Sequence, residues 1–164
     1  MENTIYDVLF ICTGNSARSI LAEGLLNGIG GGRFRAHSAG SQPKGQVHPL
    51  ALEELRKLHI PTDGFRSKSW EEFAAPGATE MDFVFTVCDN AAGELCPVWP
   101  GQPMTAHWGL PDPATVDGSQ QAREQAFHDA AVTLKRRLDL MMSLPLESLE
   151  RMAIHAEIKS IGGA

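Results

Sequence analysis

A chain of 164 residues, 43% hydrophobic and 21% charged, reads as a single domain over residues 1–164, long enough to bury a substantial core. Its net charge of −6 argues against nucleic acid and anionic membrane as main partners, and no stretch approaches the ~18 apolar residues that span a bilayer. The start Met1-Glu2-Asn3-Thr4 carries no basic leader or cleavage pattern, so a cytoplasmic location is expected, with the three cysteines reduced at rest.

Ile5–Ile11 is an apolar run that predicts a buried strand. Beyond it, Ala17, Ile20, Leu21, Leu25 and Ile29 recur at helical spacing up to Gly30-Gly31-Gly32. Between strand and helix lies Cys12-Thr13-Gly14-Asn15-Ser16-Ala17-Arg18-Ser19, a cysteine and an arginine separated by five small or polar residues. The unpaired N–H groups of a first helical turn favour negative charge. Five residues let the backbone of Thr13, Gly14, Asn15, Ser16 and Ala17 curl around a tetrahedral oxyanion, with Arg18 gripping two of its oxygens. The same groups favour the thiolate of Cys12 near neutral pH, and Ser19 can donate a hydrogen bond to its sulfur. An ordinary buried cysteine at a strand end is the plainer alternative.

Phe34–Ser38, followed by Ala39-Gly40, predicts a second strand. His48–Leu58 predicts a helix with Ala51, Leu52, Leu55 and Leu58 on one face, and Trp70–Phe73 a short one. The β-branched and aromatic run Phe83–Val87 predicts a third strand delivering Cys88 at its end. The Pro- and Gly-rich 96–103 is a loop, and Met104–Trp108 a short fourth strand. Ser119–Met142 is the longest predicted helix, burying Phe127, Ala130, Leu134, Leu138 and Met141. A further helix at about 145–160, set off by Pro145, has Leu146, Leu149, Met152, Ala153 and Ala156 as its apolar positions. Strands alternating with helices imply an α/β fold with a parallel sheet flanked by helices, whose ligands bind beyond the carboxyl ends of the strands. Cys12 and Cys88 both belong to that rim.

Seven residues separate Cys88 from Cys96. A local disulfide between them requires the intervening turn to loosen, since bridged Cα atoms must come within about 7 Å. A zinc site of Cys88, Cys96 and His107 is an alternative lacking a clear fourth ligand, and core packing is another. Asp112, between Pro111 and Pro113, has a restricted backbone on both sides. It is either a proton donor to a leaving oxygen or a turn residue and cap.

The run from Cys12 to Ser19, with Ala22-Glu23-Gly24 and His37-Ser38-Ala39-Gly40, resembles the low-molecular-weight phosphotyrosine phosphatase superfamily. Within it, the segment from Val87-Cys88-Asp89 to Cys96-Pro97, then His107-Trp108-Gly109 and Asp112-Pro113-Ala114, is similar to the thioredoxin-linked arsenate reductases. The likeness spans roughly residues 5–142, leaving the last helix outside the common core. It implies a three-layer fold around a small, four-stranded parallel sheet. It also implies a three-cysteine relay for arsenic detoxification. Cys12 attacks arsenate, Asp112 protonates the departing oxygen, and Cys88 attacks Cys12 to release arsenite. Cys96 then takes over the disulfide for an external reductant to open. That reductant is expected to be thioredoxin, with glutaredoxin or a low-molecular-weight thiol as alternatives. No bound cofactor is expected, and phosphate should compete with arsenate.

The sequence departs from the superfamily pattern in places. Ala17 stands where many relatives carry another cysteine. Asn15, Glu23 and Ser38 match part of a potassium site found in some reductases, but no aspartate near Ser67-Lys68-Ser69 completes it. A lysine there can replace the cation, so no metal is expected. Phosphatase activity on aryl phosphates is the main alternative. It is disfavoured by Ala114-Thr115 in place of an aromatic wall, and by Cys88 and Cys96, which a phosphatase does not need. A non-catalytic oxyanion-binding or redox-sensing module is a second, disfavoured by the complete set of Cys12, Arg18 and Asp112.

Overall fold

The computed structural model describes residues 4–87, 99, 101–147 and 151–163. Four strands form one all-parallel sheet: β1 (Tyr6–Cys12), β2 (Phe34–Gly40), β3 (Phe83–Thr86) and β4 (Met104–His107), in the order β2-β1-β3-β4. Among the described residues the helices are α1 (Arg18–Ile29), α2 (Pro49–Lys57), α3 (Glu71–Ala74), α4 (Gln120–Met142) and α5 (Arg151–Ile161), with a 3-10 turn at Pro113–Thr115. The chain leaves β1 for β2 on one side and later returns to place β3 on the other. The crevice where the order reverses therefore opens at the carboxyl end of β1. Cys12, the last residue of β1, sits there opposite Gly40.

The core follows from the apolar runs. Val8, Leu9, Phe10 and Ile11 are fully buried, as are Phe83 and Phe85. Each such Leu, Ile or Phe contributes roughly 1.5–3 kcal/mol relative to leaving it in water. Phe85 stacks on Trp108 with ring centroids 3.9 Å apart, and the Trp108 indole N–H donates to the carbonyl of Ile158 at 3.0 Å. This bond ties α5 to the end of β4. Gly24 lets α1 and α2 approach, since a Cβ there would lie 2.6 Å from Leu55 Cδ1.

The predicted strands and helices are present among the described residues, with two faces corrected; residues 96–98 and 100 of the predicted loop, and Leu149, lie outside them. The buried side of α5 consists of Ile154, Ile158 and Ile161, while Met152 is 86% exposed and Ala153 and Ala156 are also exposed. Leu146 is buried in the turn after Pro145, before the helix begins. The predicted stripe carried the phase of Leu146 across that turn, which resets it. Leu58, predicted on the buried face of α2, is the exposed cap that follows it, and Glu54 takes a buried position, its carboxylate 2.8 Å from His128 Nδ1. No helix among the described residues is long and apolar enough to cross a membrane.

At the far end of β1, Arg35 donates two hydrogen bonds to Asp7, at 2.7 and 3.0 Å, and His37 Nε2 lies 3.1 Å from it. Burial pushes the Asp7 carboxyl up, but the bonds and charges of Arg35 and His37 outweigh it and hold it below the ordinary 3.8. A depressed carboxyl stabilises the fold fully above pH 3.8, and that contribution is lost as the pH falls through the lower folded-state value. Asp7→Asn should therefore cost about 1 kcal/mol at pH 7, the scale of a partly exposed ion pair. In urea unfolding, the gap to the parent should close as the pH drops below the ordinary aspartate range.

Candidate active site

The loop between β1 and α1 is shaped from outside by the chain that follows β2. The carbonyls of Thr13, Gly14 and Ser16 accept N–H bonds from Gln42, Lys44 and His48, each at 2.9 Å. In a planar trans peptide the N–H points opposite to the C=O. Turning these three carbonyls outward aims the N–H groups of Gly14, Asn15 and Ala17 inward. That of Asn15 reaches Cys12 Sγ at 3.2 Å. The curl needs Gly40 beside it, where a Cβ would lie 2.5 Å from the Thr13 carbonyl oxygen.

Asn15 has φ 45, a left-handed conformation that asparagine tolerates better than most residues. Its fully buried side chain organises the site. Nδ2 donates to Ser19 Oγ at 2.8 Å and to Ser38 Oγ at 2.9 Å, and Oδ1 accepts the Lys68 N–H at 2.9 Å. Each serine, accepting from Asn15, has its own hydrogen directed elsewhere. Ser38 donates to Glu23 at 2.5 Å, and Ser19 Oγ lies 3.0 Å from Cys12 Sγ, placed to donate to the sulfur.

Behind the loop, Lys68 Nζ is 3.9 Å from Glu23 and donates to the Arg66 carbonyl at 2.9 Å. Burial raises the Glu23 carboxyl against the opposing Ser38 bond and Lys68 charge, and burial lowers the Lys68 ammonium. A lysine ammonium beside Glu23 leaves the cluster ill-suited to a bound cation. Among the described residues, no group of three or more His, Cys, Asp or Glu side chains could hold a metal ion.

Arg18 opens α1 and reaches across the pocket. It donates to the Leu110 carbonyl at 3.0 Å, and its other terminal nitrogen lies 3.4 Å from Asp112 Oδ2. Asp112 caps the 3-10 turn, its Oδ1 accepting the Ala114 N–H at 2.9 Å. The cap and the pocket carboxylate, alternatives in the sequence, are thus two oxygens of one group. The cavity, about 370 Å³, is lined by Cys12, Thr13, Gly14, Ser16, Ala17, Arg18 and Asp112, together with Gln42 and Lys44. Cys12 at its floor is 3% exposed.

Cys12, the loop, Arg18 and Asp112 therefore converge on one pocket, with the buried Ser19 against the Cys12 sulfur. Cys88 and Cys96 lie outside the described residues. The strand that precedes Cys88 ends on the same rim, with Thr86 paired to Ile11. His107, the third residue of the alternative zinc set, has Nδ1 2.6 Å from Thr86 Oγ1. Sequence reasoning missed Gln42 and Lys44. Their signal was position alone, just past Gly40 at the carboxyl end of a strand beside β1.

The family model described as low molecular weight phosphotyrosine protein phosphatase matches residues 7–153. A protein of Bacillus subtilis (strain 168) named arsenate reductase is 32% identical over 138 residues, 84% of this chain and 94% of its own length. An arsenate reductase of Staphylococcus xylosus is 36% identical over 122 residues, 74% of this chain and 87% of its own. Among solved structures, an arsenate reductase in a phosphate-binding state has TM-score 0.69 at 27% identity, covering 85% of this chain and 98% of that one. A thioredoxin-dependent arsenate reductase of Corynebacterium glutamicum has TM-score 0.56 at 26% identity, covering 85% and 65%.

Proposed function

We propose that this chain, which belongs to the low-molecular-weight phosphotyrosine protein phosphatase family, is an arsenate reductase that works as one catalytic unit over residues 1–164 and draws electrons from an external thiol. The observation that carries the reading is the convergence of Cys12, inward loop amides, Arg18 and Asp112 on one pocket, in a chain similar to proteins named arsenate reductase. Inward N–H groups and a guanidinium suit a tetrahedral oxyanion, and they favour a thiolate at Cys12.

In this reading, the Cys12 thiolate attacks arsenic(V) and one oxygen leaves as water, taking a proton from Asp112. The product is a Cys12–sulfur–arsenic adduct. The Cys88 thiolate then attacks Cys12 Sγ. The sulfur–arsenic bond breaks, its electron pair stays on arsenic, and arsenite departs as arsenic(III). The two electrons gained by arsenic are those lost in forming the Cys12–Cys88 disulfide. Cys96 attacks Cys88, freeing Cys12 and leaving a Cys88–Cys96 disulfide for an external dithiol to reduce. Thioredoxin is the proposed reductant, supported by the thioredoxin-dependent relative of similar fold. Dependence on a thiol pool fits the reducing cytoplasm. Ser19 steadies the Cys12 thiolate, and Ala17 leaves the loop without a second thiol.

The test is arsenate-dependent NADPH oxidation coupled to a thioredoxin system or a glutaredoxin system, with phenyl phosphate assayed in parallel. Turnover should require thioredoxin and be inhibited by phosphate. Turnover only with glutaredoxin would move the reductant, and efficient phenyl phosphate hydrolysis without arsenate reduction would make the chain a phosphatase.

A further inference from the structure

Helix α4 buries a stripe of Phe127, Ala130, Ala131, Leu134, Leu138 and Met141, and in its midst is Arg137, only 7% exposed. A guanidinium in an apolar stripe is costly unless its N–H groups are satisfied, and burial lowers its pKa. One of its terminal nitrogens donates to the carbonyls of Trp108 at 2.8 Å and Gly109 at 3.2 Å. The next carbonyl along, Leu110, accepts from Arg18. Three successive carbonyls of the stretch leading to Asp112 are thus held by two guanidiniums, one from α1 and one from α4.

On its N–H side, among the described residues, Trp108 pairs with the Thr86 carbonyl at 2.7 Å and Leu110 with that of Val87 at 3.3 Å. Pro111 has no N–H to offer, and Asp112 follows it. Besides the direct contacts of its carboxylate with the Ala114 N–H and Arg18, the place of Asp112 over the pocket therefore depends on how this short length of backbone is gripped.

We propose that Arg137 is a positioning residue for Asp112. It never touches substrate, but it sets the carboxylate's place above Cys12 by holding the Trp108 and Gly109 carbonyls. The proposal rests on the reading of Asp112 as proton donor. Displacing a reacting group by about 1 Å can cost up to a hundredfold in rate.

A double-mutant cycle in arsenate turnover tests it. Asp112→Asn alone should lower kcat by about a hundredfold. Arg137→Met should lower kcat by about tenfold with KM within about twofold. In an Asp112→Asn background it should cost less than about twofold, because the group it positions is gone. Arg137→Lys keeps a charged donor and should recover part of the loss. If Arg137→Met does not fold, the Lys variant carries the cycle, with a smaller loss that vanishes in the same background. Losses that multiply in the double variant, or a raised KM at unchanged kcat, overturn the proposal.

A second readout needs no turnover. The Ala114 amide is held by Asp112, so its hydrogen exchange reports the carboxylate's pose. Exchange there should speed up about fivefold or more in Arg137→Met, and less in Arg137→Lys. A parent chain that fails to reduce arsenate, with Ala114 exchange faster in the variant, would remove the assigned reaction and leave the positioning intact. Unchanged Ala114 exchange would remove the positioning whatever the parent's activity.

Discussion

Cys12→Ser should abolish arsenate reduction while leaving oxyanion binding largely in place. The serine hydroxyl stays protonated near neutral pH and cannot form the disulfide that carries the electrons away. The binding surface is built from other groups: the inward amides of Gly14, Asn15 and Ala17, and Arg18. Calorimetric titration with inorganic phosphate should give an affinity no weaker than about a third of the parent's, since the amides and Arg18 remain and only the repelling thiolate charge is removed. A variant that keeps more than a few per cent of the arsenate rate would show that the nucleophile is elsewhere. Loss of phosphate binding together with activity would mean that the loop, and not the sulfur alone, had collapsed.

The second large effect lies in the segment that carries Cys88 and Cys96. Cys88→Ser should still let Cys12 form its arsenic adduct but should release no arsenite, because no neighbouring thiol remains to break the sulfur–arsenic bond. Cys96→Ser should behave differently. It should release one arsenite per chain and then stop with Cys12 and Cys88 bridged, a disulfide sheltered at the floor of the pocket, where Cys12 is 3% exposed. Thiol exchange depends on access as well as thiolate fraction, so thioredoxin should recycle this form at least about tenfold more slowly than oxidised wild type. In an enzyme that only hydrolyses phosphate esters, both serine variants would match their parent.

Much of this site was legible because its central part is local. A buried strand, five small residues and an amphipathic helix place Cys12 and Arg18 on either side of one turn, whatever the rest of the chain does. The alternation of strands and helices likewise gave the parallel sheet and its ligand-binding rim. Tertiary register was not legible. That Asn15 orders both Ser19 and Ser38 depends on β2 lying beside β1 with Gly40 opposite Cys12. Gln42 and Lys44 join the pocket for the same reason. Arg137 falls within an apolar stripe, where a periodicity count passes over it, and the Trp108 and Gly109 carbonyls it holds are marked by no sequence pattern. The face of α5 was misread because the turn after Pro145 broke the phase that Leu146 had been used to set. Asp112 was undecided for a physical reason: one carboxylate has two oxygens, and here one caps a turn while the other faces Arg18.

The most direct test is a single turnover without external reductant. Fully reduced wild-type protein is mixed with one equivalent of arsenate, arsenite is quantified, and the disulfide is located by peptide mapping under non-reducing conditions. The expected result is one arsenite per chain, a Cys88–Cys96 disulfide and a reduced Cys12. All three cysteines still reduced with no arsenite formed would contradict it.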